Sequence, residues 1–226
     1  MSIALLSASR IKTLESCAWK YWCNYHLYLP SESNDGARRG TVCHLILELL
    51  LKKRHKKHFT FITKKDKLTP AIKKLVLKLL EKENATNLDE NYYLCEEMIG
   101  VGLKNDFFGK GGKIESPELE FLLENEEPLY KAKGFIDKPI KYADKVSIVD
   151  YKTSKNKFTE LELESNLQAM TYALAAKRTL WPKIKKVSVS FLFLRFPEDP
   201  VQTIEFNSDQ LNGFEYYLSH IYKIIN

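Results

Sequence analysis

Apolar residues recur at helical spacing through the first half of the chain and alternate or run together through much of the second. From Thr41, the positions Val42, Leu45, Ile46, Leu49 and Leu50 fall three or four residues apart, which predicts an amphipathic helix to about Arg54. Pro70 suits a first helical position, with Ile72, Leu75, Val76, Leu79 and Leu80 behind it, and a further helix is expected over residues 89–106. Ahead of these, Ser7 and Ser9 can cap a short helix carrying Ile11 and Leu14, and Trp19, Tyr21, Trp22 and Tyr25 mark an aromatic-rich turn or helix. The period then changes, and strands are predicted over residues 117–123, 130–140 and 145–152. A helix over residues 159–179 would present Leu163, Leu167, Met170 and Leu174 on one stripe. Strands over 186–196 and 201–206 follow, then a C-terminal helix capped by Ser208 and carrying Leu211, Phe214, Leu218 and Tyr222. This order implies an α/β fold, a central mixed β-sheet flanked by helices with a helical N-terminal half.

No repeat, low-complexity tract or Pro/Gly-rich linker divides the sequence, so a single domain over 1–226 is expected. Residues 1–110 form its mainly helical part and 111–226 its sheet core and C-terminal helix, the weakest boundary lying near Gly109–Gly112. A composition 44% hydrophobic and 12% aromatic excludes disorder, and there is no long apolar run or secretory signal pattern. A soluble cytoplasmic protein without membrane attachment is the expectation, in the host cytoplasm if the chain is viral. Cys17, Cys23, Cys43 and Cys95 form no CxxC pair and are expected to be free thiols.

The net charge of +6 suits a polyanionic partner, and its distribution is uneven. Residues 52–82 carry twelve Lys/Arg against Asp66 and Glu81, whereas residues 115–127 carry six Glu and no base. The basic stretch reads either as a nucleic-acid-facing region or as the solvated face of two helices, and residues 52–67 could also form a mobile cover.

The chemistry concentrates between Gly134 and Lys152. Asp137 ends one candidate strand and Asp150-Tyr151-Lys152 the next, so a short hairpin would bring the two aspartates together. Residues i and i+2 of a strand face one side, so Asp150 and Lys152 both point into the site that Asp137 closes. Two carboxylates there make a hard oxygen site for Mg²⁺ or Mn²⁺, to which the main-chain carbonyl of Tyr151 could add a ligand. His44, in Gly40-Thr41-Val42-Cys43-His44 at the expected opening of a helix, could set an imidazole against the same metal or a second one. Opposite charges favour the charged form of a lysine, so Lys152 is expected to position water and stabilise charge rather than act as a free base.

The ordered set Gly40…His44, Gly134-Phe-Ile-Asp137, Val149-Asp150-Tyr-Lys152 and Gln168-Ala-Met-Thr-Tyr172 resembles the GxxxH, GxxD, (D/E)xK and QxxxY signature of the RecB-like branch of the PD-(D/E)XK nuclease superfamily. The opening Leu6-Ser-Ala-Ser9 to Tyr21 is similar to that family's SxSxL…CPxxY, with Ala18 in place of the proline. The resemblance implies a restriction-endonuclease-like core and a metal-dependent deoxyribonuclease using Mg²⁺ or Mn²⁺. It implies His44, Asp137 and Asp150 as metal ligands, Lys152 as the catalytic lysine, and Gln168 and Tyr172 lining the site. The family often has a glutamate on the preceding strand, where Glu118 and Glu120 share a face; Glu118 is preferred. The substrate expected is DNA, as linear duplex or single strand, attacked from an end in recombination, repair or phage DNA metabolism.

Relatives with an iron-sulfur cluster carry three cysteines beyond QxxxY, and none follows Cys95 here, leaving only a cluster of Cys17, Cys23, Cys43 and Cys95 as an alternative. No Gly-rich phosphate loop is present, so no ATP-driven motor is expected; a homo-oligomer is possible. The rival functions are an endonuclease acting at branched or recognised sites, an inactive DNA-binding or adaptor protein on the same fold, and an RNA-binding basic stretch. The last lacks an evident aromatic stacking platform.

Overall fold

The computed structural model describes residues 5–30 and 33–226. Helices α1 (Ala8–Ser16), α2 (Ala18–Tyr25), α3 (Asp35–Leu51), α4 (Lys56–Lys65), α5 (Pro70–Lys82) and α6 (Leu88–Lys104) make up the first half. Ser7 caps α1 by accepting from the backbone N–H of Arg10, and Thr69 caps α5 ahead of Pro70. Helix α3 starts earlier than the apolar period suggests, because Asn34 accepts from the Ala37 N–H and Asp35 complements the helix dipole in the first turn. The segment Gly40–His44 therefore lies inside α3 rather than opening it, and α3 ends at Leu51, not Arg54. The basic stretch after it is helical: a single 3₁₀ turn (Lys53–His55) and α4, which turns Ile62 inward, precede α5 with its buried Ile72, Val76 and Leu80.

The strands are β1 (Lys113–Ile114), β2 (Leu119–Glu126), β3 (Leu129–Ile136), β4 (Lys138–Lys141), β5 (Lys145–Lys152), β6 (Lys186–Phe193) and β7 (Val201–Glu205). Five pair in the order β1-β4-β5-β6-β7, with β5 and β6 parallel and the other neighbours antiparallel; β2 and β3 form a separate antiparallel pair. The single strand expected over 130–140 is two strands belonging to different sheets. At the register after Lys138↔Val149, the Tyr151 N–H donates to the carboxylate of Asp137 (2.9 Å) instead of to a backbone carbonyl, and the chain bends there.

The helix expected over 159–179 is likewise divided, into α7 (Glu160–Glu164) and α8 (Leu167–Ala175), followed by a π turn at Ala176–Leu180. Ser165 Oγ folds back onto the Leu161 carbonyl, and Asn166 accepts from the Ala169 N–H to start a new helix. Helix α9 (Ser208–Ile225) is capped by Asn207 in a reciprocal box with Gln210, one residue before the expected Ser208, and β6 ends at Phe193 rather than at Phe196.

The sheet separates two cores. On one face Val146, Ile148, Val189, Phe191 and Phe193 pack with α8, α9 and the β2-β3 hairpin. On the other, Tyr151, Leu192 and Leu194 meet Ile46, Leu47 and Leu50 of α3 and Ile99 and Leu103 of α6. Those three α3 side chains are fully buried, each contributing about 1.5–3 kcal/mol of transfer free energy. Cys43 and Cys95 belong to this second core whereas Cys17 is exposed, so the four cysteines do not gather into a cluster.

Candidate active site

Period-two alternation along β5 sends Val146, Ile148 and Asp150 toward one core and Tyr151 toward the other. Asp150 is buried at the end of the parallel β5-β6 pair, and Lys152 follows it at the cleft surface. Lys152 Nζ lies 2.6 Å from Asp150 Oδ2 and donates to Gln168 Oε1 at 2.6 Å. Gln168 in turn donates through Nε2 to Asp150 Oδ1 (2.9 Å) and to Tyr172 Oη (2.7 Å), and Tyr172 donates to the same Asp150 oxygen at 3.0 Å. Because α8 starts only at Leu167, Gln168 sits in its first turn and Tyr172 one turn later, which closes the ring of four side chains. Burial pushes the Asp150 carboxyl up, with the Lys152 cation opposing it and Asp137 adding to it.

Asp137, at the bend between β3 and β4, is next to Asp150 across the hairpin. His44 reaches it from α3, with Nδ1 3.2 Å from Asp137 Oδ2 and Nε2 2.9 Å from the Tyr151 carbonyl oxygen. Gly40 makes this approach possible: a Cβ there would stand 3.0 Å from Thr153 Oγ1, just beyond β5. Burial pulls the His44 imidazole down, but the hydrogen bond and charge of Asp137, joined by Asp150, outweigh it and push it up to about 9. The Tyr151 carbonyl, expected as a possible ligand, is thus engaged by the histidine.

Glu118 lies just outside β2 in the left-handed region (φ 52°), so it does not share a strand face with Glu120. Its N–H donates to the Asp137 carbonyl at 3.2 Å. Ligand atoms of His44, Glu118 and Asp137 all lie within 4.8 Å of one another, while Glu120 is exposed on β2 opposite Phe135. Burial, and then the charge of Asp137, raise the Glu118 carboxyl.

These groups line or border a cleft of about 1180 Å³. Lys12, Arg39, Lys133, Lys155 and Arg195 also line it, against Glu15 and Glu162. None of the five cations was singled out by sequence. They come from separate segments: Arg39 adjoins Gly40, Lys133 adjoins Gly134, and Lys12 falls within the Leu6–Tyr21 opening.

A family model for the PD-(D/E)XK nuclease superfamily matches residues 5–226. No curated protein matches the chain. The crystal structure of a candidate exonuclease from Eubacterium rectale superposes with a TM-score of 0.57 at 14% identity, covering 96% of this chain and 77% of that one. That likeness is one of fold, a restriction-endonuclease-like sheet flanked by helices. The crystal structure of SSO0001, at 17% identity over 96% of this chain and 84% of its own, reaches a TM-score of only 0.33.

Proposed function

Because the chain belongs to the PD-(D/E)XK nuclease superfamily over residues 5–226, we propose that it is a divalent-cation-dependent deoxyribonuclease that hydrolyses linear DNA from an end. The observation that carries this reading is the convergence of His44, Glu118 and Asp137 within 4.8 Å beside the Asp150-Lys152 pair in an open cleft.

The donors suit such a cation. Two or three carboxylates and one imidazole make an oxygen-rich set appropriate to Mg²⁺ or Mn²⁺. Asp150 Oδ2 is buried and, although ion-paired with Lys152, makes no aligned hydrogen bond, which leaves it able to take a further positive partner. When bound, the cation supplies positive charge for the scissile phosphate's oxygens and acidity for the attacking water.

The residues of the chain supply the rest. The Lys152 ammonium, held by Gln168 and Asp150, orients the attacking water and offsets the charge that grows on the phosphate. Gln168 and Tyr172 brace both members of that pair, and the five cations of the cleft hold flanking phosphates. The end-dependent form of the reading draws support from the description of the Eubacterium rectale protein and from the resemblance of the motifs.

The test compares wild type with Lys152→Ala on end-labelled linear duplex, linear single strand and covalently closed circles, with Mg²⁺, Mn²⁺ or EDTA. The expected result is metal-dependent shortening of linear DNA, intact circles and an inactive variant. Cut circles would make it an endonuclease. DNA binding without cutting under any condition would make it an inactive member of the fold.

A further inference from the structure

The surface of α2 and the turn that follows stands apart from the rest of the molecule. Trp19 is 70% exposed, Trp22 47% and Tyr28 75%, with Leu27 and Leu29 beside them. Trp19 and Trp22 are three residues apart on α2, and the turn that follows bonds to its last carbonyls, so these exposed side chains gather at one end of the helix, as at a contact site. The rings are presented, not merely uncovered. His26 stacks on Trp22 with centroids 4.3 Å apart and planes 17° apart, which holds that indole by one face. The Arg10 guanidinium sits 4.9 Å from the Tyr25 ring centroid. Tyr28 has φ of 51°, a backbone conformation that costs an aromatic L-residue energy.

Charge and position identify the partner. From Cys17 to Leu29 there is a lysine, Lys20, and no carboxylate; Arg10, Lys12 and Glu15 come just before, and Glu15 accepts from the Tyr217 hydroxyl. Exposed π-faces with Lys20 among them and no acid on their own segment suit unpaired bases on a phosphate backbone. Helix α2 packs on α1, whose capping Ser7 and whose Ser9 and Lys12 line the active-site cleft, so the aromatic face is one helix away from that cleft.

Although the sequence alone revealed no stacking platform, we propose that the Trp19-Trp22-Tyr28 face is one and that it binds the bases of a single-stranded DNA segment adjoining the cleft. The proposal rests on the nuclease reading for its purpose, but its test does not depend on cleavage.

Trp181→Phe leaves Trp19 and Trp22 as the only indoles among the three of the chain, so indole fluorescence, excited selectively over the tyrosines, reports on the platform alone. In EDTA, titration of this protein with oligothymidylate is expected to quench the fluorescence to saturation. Trp19→Ala and Trp22→Ala, in the full chain, should each weaken oligothymidylate binding roughly 10-fold at fixed salt, as loss of one stacked base does. Trp19→Phe should keep most of the affinity, and affinity for closed circular duplex should be unchanged, which also shows that the variants are folded. Absence of quenching, or alanine variants that bind oligothymidylate like wild type, overturns the proposal. So does a change in sedimentation without a change in binding, which would make the patch a protein interface. Quenching in a protein that never cuts DNA would leave the platform standing and remove only the nuclease reading.

Discussion

Gln168 touches every other member of the Asp150 network, and its loss should be felt through them. Removing a side chain that only orients the groups at a metal site typically costs 10–100-fold, so Gln168→Ala should lower kcat by about 10–100-fold while DNA affinity is kept, as steady-state kinetics and binding titrations would show. His44 gives a pH signature. Its folded pKa of about 9 lies above the ordinary 6.5, so in metal-free protein its contribution to stability is complete below about pH 6.5 and is lost as pH rises through about 9. Denaturant unfolding in EDTA should therefore show the gap between wild type and His44→Gln closing from pH 6 toward pH 10. Binding of Mn²⁺ near neutral pH should release a proton, readable by calorimetry in buffers of different ionisation enthalpy. The positions of Asp137, Asp150 and Lys152 were legible from strand period and a hairpin. The separation of Glu118 from Glu120 was not, because it turns on one left-handed φ that no sequence pattern announces.

At the level of elements, Gly134 couples the hairpin to the site. A Cβ there would lie 2.6 Å from Phe121 Cζ, and the buried Phe121 ring meets Tyr172 edge-on, 6.2 Å between centroids. Gly134→Ala should cost about 1–3 kcal/mol by overpacking and disturb the Tyr172-Asp150 hydrogen bond, so both the thermal midpoint and kcat fall. Asn166→Ala should remove the cap that starts α8 and cost about 1 kcal/mol, measurable by denaturant titration. Most elements were readable from their apolar periods. Three of the boundaries that moved did so where side-chain hydrogen bonds compete with backbone ladders: Asn34 at α3, Asn166 between α7 and α8, and the Asp137 carboxylate between β3 and β4. The first residues of α3 escaped the pattern because they line the cleft, so no apolar stripe marks them.

For the whole molecule, the α/β layering and helical first half were legible, whereas the division into a five-stranded sheet and a separate hairpin depended on the bend at Asp137. Among the described residues no helix is long and apolar enough to cross a membrane. The two cores share one sheet, with Tyr151 and Asp150 facing opposite layers from adjacent positions, and we infer that they melt together as a single domain. One calorimetric transition, with van't Hoff and calorimetric enthalpies in agreement, is the expected outcome, and two transitions would divide the chain into separate units. The same layering gives the site a history. His44 bonds a carbonyl 107 positions later in the chain, and Gln168 enters later still. While the protein is being synthesised, its helical half emerges first with the histidine but none of the acids or the lysine that complete the cluster. A growing chain, or one truncated before α8, thus holds only part of this set of side chains, which comes together once β5 and α8 have docked on α3.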